Sequence, residues 1–87
     1  MPTAQEIHKD ALVIDGLVYH CDGDVTDLKA GGINALNITT CFFEADFPEA
    51  CQEISRWHGL LNAPGSPWLQ IETAADFDRA RAEGKIG

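Results

Sequence analysis

An α/β fold built on parallel strands is what this chain of 87 residues predicts. Two observations carry that expectation. Apolar or β-branched runs alternate along the chain with stretches of helical periodicity. The first apolar run is continuous and stops at a turn signal, which suits a strand covered on both faces. The order is helix, strand, helical turn, strand, helix, short extended piece, helix and the start of a strand, with no internal repeat.

Residues 3–11 predict a short helix. Thr3 and Glu6 have capping-box spacing, and Ala4, Ile7, His8 and Ala11 then share one side. Leu12-Val13-Ile14 reads as the first strand, ended by Asp15-Gly16. Residues 24–30 read as one or two helical turns, capped by Asp24 and stopped by Gly31-Gly32. Residues 33–43 are rich in β-branched and aromatic side chains and predict the second strand. Asp46, Pro48 and Glu49 open a helix that carries Ala50, Ile54, Trp57, Leu60 and Leu61 at helical spacing and stops near Asn62. Trp68-Leu69-Gln70-Ile71 is a short extended piece. Thr73 and Asp76 then start a helix that Gly84 closes, and Lys85-Ile86-Gly87 reads as the first residues of another strand.

Fourteen acidic against six basic residues give a net charge of −8. The bases are scattered, so neither a nucleic-acid backbone nor an anionic membrane surface finds a basic patch. No apolar run approaches the roughly 20 residues of a membrane helix, and the first ten residues lack a signal-peptide pattern. Cys21, Cys41 and Cys51 are an odd number without a CxxC pair. They read as small buried side chains in a reducing, cytoplasmic setting, with no disulfide scaffold and no structural zinc cage. Two strands and a stub leave sheet edges open. A (β/α)₈ barrel takes about 250 residues, so the chain has the size of the first third of one. The alternative is a subunit that completes its sheet with another chain, a homo-oligomer included. The strand start at residues 85–87 favours the fragment.

The run Ala11-Leu12-Val13-Ile14-Asp15-Gly16 resembles the start of the membrane (renal) dipeptidase family, metallopeptidases with an amidohydrolase-like barrel. The likeness continues through Leu28-Lys29-Ala30-Gly31-Gly32-Ile33-Asn34-Ala35, where that family has a short helix, a glycine pair and its second strand. It returns from Ala74-Ala75-Asp76-Phe77 to Gly84-Lys85-Ile86-Gly87, where a helix feeds the next barrel strand. The resemblance implies the N-terminal portion, about one third, of an amidohydrolase-like (β/α)₈ TIM barrel. It implies a two-zinc site at the C-terminal mouth that cleaves dipeptides or related amides.

That family places a His-x-Asp pair directly after the Asp-Gly that ends its first strand. Residues i and i+2 of an extended chain point the same way, so both can reach one ion. Imidazole and carboxylate suit zinc, and two ions about 3.5–4 Å apart can activate a bridging water. Here the corresponding positions hold Leu17 and Tyr19, which cannot act as those ligands, and His20-Cys21-Asp22 follows. In one reading the strand runs longer or carries a bulge, and His20 and Asp22 become the metal ligands. In the other they are loop residues, Asp22 precedes or caps the next helix, and the chain is a non-catalytic relative that binds a small ligand or partner. Asp15 reads as tying the turn. The family's remaining ligands, a glutamate and two histidines, would lie past Gly87, and so would the catalytic groups.

Glu44, Asp46 and Glu49 read first as solvated helix-cap residues and second as contacts for a substrate amine or a metal. Trp57 reads as core, and His58 and His8 as surface. Asn37-Ile38-Thr39 matches a glycosylation sequon but is discounted as part of a buried strand. GxSxG, GxGxxG and P-loop patterns are absent.

Overall fold

A parallel pair of strands forms the sheet in the computed structural model, which describes residues 1–19 and 22–87. Strand β1 is Ile14–Val18 and β2 is Ala35–Ile38. Around them stand helices α1 (Ala4–Asp10), α2 (Thr26–Ala30), α3 (Phe47–Asn62) and α4 (Ala74–Ala82). Parallel neighbours need a crossover connection, and α2 lies in the one that joins β1 to β2. No helix of the described residues is long and apolar enough to cross a membrane.

The local signals for the helices are realised as hydrogen bonds. Thr3 and Glu6 form the expected reciprocal box at the start of α1. The Asp46 carboxylate accepts the Glu49 N–H at 2.9 Å and starts α3, with Pro48 in the first turn. Asp76 accepts the N–H groups of Glu72 and Thr73 at 2.8 and 2.9 Å. Gly84, at φ +68°, ends the chain's last helical segment. Arg81 of α4 donates to the carbonyls of Lys9 and Asp10 at 3.0 and 2.7 Å, so one helix caps the C-terminal end of another.

The strands depart from their expected bounds. β1 begins at Ile14 and passes through Asp15-Gly16 instead of stopping there. Asp15 Oδ1 accepts the Leu17 N–H at 3.1 Å, which folds the would-be turn into the strand. Ile14 pairs with Ala35 and Asp15 with Leu36, but Val18 pairs with Ile38. β1 therefore carries one extra residue between Asp15 and Val18, a β-bulge. It is also exposed along most of its length, not covered on both faces. β2 spans far less than residues 33–43. Its last tie to the first strand is Thr39 N–H to the Val18 carbonyl, and beyond it the chain turns through a bond from Ala45 N–H to the Phe42 carbonyl. Phe42 and Phe43 are left exposed.

Residues 85–87 do enter the sheet. Gly87 bonds to Asn34 and Leu36 of the β2 segment, while Ile86 bonds to Pro67 and Leu69 and bridges Trp68 in parallel. The stub thus lies between β2 and the short extended piece.

Leu36 and Ile38 pack against Trp57, Trp68 and Ile86, together with Val25, Leu28, Leu60 and Leu61. The two indoles meet edge to face, 5.2 Å between centroids. The opposite face holds Ile14, its partner Ala35 and, two residues on, Asn37. Asn37 is exposed, so burial is no ground for discounting the sequon. Cys41 is half-buried and Cys51 exposed, which corrects the expectation of buried thiols. Cys21 lies outside the described residues. Ile54 is exposed too, since the buried stripe of α3 narrows to Trp57 with Leu60 and Leu61 at its margin.

Helix α1 buries none of its residues and is held by polar ties. His8 Nε2 lies 2.7 Å from the Gly31 carbonyl, and His58 is exposed. Gly32 has φ +77°, and a Cβ there would stand 2.6 Å from His8 Nε2. Gly32→Ala is expected to lower stability by about 1–2 kcal/mol through the left-handed backbone alone. It should also displace the His8 ring. Denaturant unfolding of Gly32→Ala with and without His8→Ala separates the two, because the backbone cost survives in the double variant.

Candidate functional site

An open cleft of about 490 Å³ lies where β1 and β2 end and α3 begins. Parallel α/β folds bind ligands at this, the carboxyl end of their strands. Tyr19 and Asp22 reach it from the segment after β1, and Thr39, Thr40 and Cys41 from the segment after β2. Helix α3 contributes Glu49, Glu53 and Arg56, spaced by four and three residues and so on one helical face. Tyr19 and Phe42 form an aromatic pair at the cleft, 6.1 Å between centroids.

Three carboxylates, Asp22, Glu49 and Glu53, stand in this cleft against the Arg56 guanidinium. Arg56 Nε donates to Glu53 at 3.1 Å, and Nη1 approaches the Asp22 carbonyl at 3.4 Å. The guanidinium lies over the Trp57 ring at 5.1 Å, a cation–π arrangement. The Arg56–Glu53 pair is solvent-washed and contributes little to stability.

The segment that carries Asp22 is built from successive side-chain turns. Asp22 Oδ1 accepts the Asp24 N–H at 2.9 Å. Asp24 Oδ1 in turn accepts the Thr26 N–H at 2.9 Å and the Thr26 hydroxyl at 2.7 Å. The backbone bond first, and the hydroxyl second, hold the Asp24 carboxyl below its ordinary range. The expected Asp24 cap on α2 is not formed: the helix begins at Thr26 with Val25 at its N-cap position and no side-chain cap bond. Asp24 instead makes a turn onto Thr26 just before the helix.

Of the two expected metal ligands, Asp22 is an exposed carboxylate at the cleft, and His20 lies outside the described residues. The longer strand and the bulge named in the ligand reading are both present in β1. The turn made by Asp22 belongs to either reading, since a carboxylate accepts at two oxygens. Among the described residues no three His, Cys, Asp or Glu side chains converge as an ion would need. These residues therefore do not by themselves fit a zinc ion, and no chemical step is assigned to one. Glu44 is exposed outside the cleft, Asp46 serves as the α3 cap, and Glu49 alone of that acidic group lines the cleft.

Arg56, Glu53 and the Thr39-Thr40-Cys41 run are cleft residues that sequence reasoning missed. The i, i+4, i+7 spacing of Glu49, Glu53 and Arg56 was the available signal. No family model, curated protein or solved structure matches the chain.

The lowered Asp24 carboxyl implies that its contribution at the start of α2 is present above the ordinary carboxylate range. It is lost as pH falls through the lowered value. Thr26→Val removes the hydroxyl and keeps the backbone donor. The Asp24 midpoint, followed by carboxyl-carbon NMR, should move part of the way back up.

Proposed function

We propose that this chain forms the first β/α units of a dipeptidase-like (β/α)₈ hydrolase and that the cleft is its share of the site for a small peptide or amide. The position of the cleft carries this reading: it opens at the carboxyl ends of parallel strands, beside a bulged β1. The sheet supports it as well. Helices cover the face of Leu36 and Ile38, while on the other face Ile14 and Asn37 are exposed and Ala35 between them is buried. In a barrel the first of these faces outward to the helical ring and the second inward to the other strands. The LVIDG-like start and the Gly-Lys end add the family likeness.

The reaction would be attack of water on an amide carbonyl, with the proton passing to the leaving amine. The Glu49 and Glu53 carboxylates suit the ammonium group of a small peptide, and the Tyr19–Phe42 pair suits an apolar side chain. A family-type zinc centre would draw on His20 and Asp22 together with donors beyond the described residues. A second reading rests on Leu17 and Tyr19, which stand where the family pair would be. It makes the chain a non-catalytic relative that binds a small ligand or partner.

Release of free amino acid from dipeptides, measured alongside zinc content, tests the choice on the protein that carries this sequence. The hydrolase reading expects turnover with stoichiometric zinc, and His20→Ala or Asp22→Asn should lower both by about tenfold or more. Absence of both metal uptake and turnover in the wild type would decide for the non-catalytic binder. Unchanged metal and activity in His20→Ala would remove that residue from the ligand set.

A further inference from the structure

The segment that brings Asp22 to the cleft is tied to the core by a part-buried hydrogen bond. The Trp68 indole Nε1–H donates to the Gly23 carbonyl at 2.9 Å, across 45 residues of sequence. Trp68 is only 3% exposed, so this donor reaches out from the core. Its own place is fixed from several sides. The Trp68 N–H donates to Ser66 Oγ at 3.1 Å, and that hydroxyl donates to the Leu60 carbonyl at 2.6 Å. The ring packs edge-on against Trp57, which itself lines the cleft. Gly23, at φ +100°, passes so close to α3 that a Cβ would lie 3.1 Å from Leu60 Cδ1.

We infer that Trp68 is a positioning residue for the cleft: its indole N–H fixes the Gly23 carbonyl and so sets where Asp22 stands. This rests on the reading of the cleft as the reaction site. A side chain that only filled the core would need the ring and not the nitrogen. The nitrogen instead holds the Gly23 carbonyl, between Asp22 and Asp24, which are both exposed, and two residues before Val25 packs on the core. Displacing a reacting group by about 1 Å can lower a rate by about 100-fold, so a tie next to Asp22 bears on turnover more than on affinity.

The test removes the donor and keeps the ring. Trp68→Phe does so by mutation. Site-specific replacement of Trp68 by its sulfur isostere, benzothienylalanine, does so with the bicyclic shape intact and guards against a folding failure of the first. Backbone ¹⁵N order parameters and dipeptide kinetics are then measured on the full chain. The expected result is a fall at Gly23 and Asp24 to below about 0.6, with α3 and α4 unchanged. The expected kinetic signature is kcat lower by about tenfold with KM within about twofold. Unchanged order parameters at Gly23 and Asp24 in the isostere would overturn the inference. So would a fall spread over the whole chain, which marks a packing role alone. If the wild type hydrolyses no dipeptide, the proposed function fails on that result and the order parameters alone decide the tie.

Discussion

The edge-to-face contact of Trp57 with Trp68 is where the separate parts of this chain meet. Trp57 belongs to α3 and Trp68 to the extended piece that bridges Ile86, and Leu36 and Ile38 of β2 pack on the same group. No residue of this cluster could bury itself through local structure. Helix α3 has a narrow apolar stripe, and β2 has only four residues. An aromatic pair of this geometry is worth about 0.5–1.5 kcal/mol beyond the area it buries. The larger consequence is geometrical, because it sets α3 against the sheet, and the helix face of Glu49, Glu53 and Arg56 then falls at the strand ends.

Polar ties attach the remaining parts to that cluster. Helix α1, with no buried residue, is joined through His8 to Gly31 and through Arg81 to its own last carbonyls. The Asn34 side chain accepts the Val13 N–H at 2.7 Å, while the Asn34 N–H donates to the Val13 carbonyl, which aligns the start of β1 with β2. A small core therefore organises a wider structure through directional bonds.

What was legible in the residues follows the range of the forces involved. Helix starts depend on contacts three residues apart, so Thr3 with Glu6, Asp46 with Glu49 and Asp76 with Thr73 could be read directly. The Trp57 burial and the strand start at residues 85–87 were also readable from pattern. Strand ends were not, because a strand lasts only as long as its neighbour. β2 stops where β1 stops, although residues 39–43 have the composition to continue. The cleft was half legible. Its position followed from parallel topology, but Arg56 and the Trp68 tie depend on packing between segments far apart in sequence.

The bulge explains why spacing misleads at the end of β1. Side chains alternate along a strand, so Ile14 and Val18, both at even positions, ought to share a face. Their partners show otherwise. Ile14 pairs with Ala35 and Val18 with Ile38, which lie three residues apart on β2 and hence on opposite faces. The extra residue reverses the parity and turns Val18 toward the side of the helices. An i, i+2 rule carried across Gly16 and Leu17 therefore predicts the wrong face for every residue after them. Positions 17 and 19, matched to a His-x-Asp pair by counting from Asp15-Gly16, are counted across this irregular stretch, so their placement relative to Ile14 does not follow from the count. Leu17 and Tyr19 at those two positions are thus compatible with a strand end that delivers Tyr19 and Asp22 to the cleft.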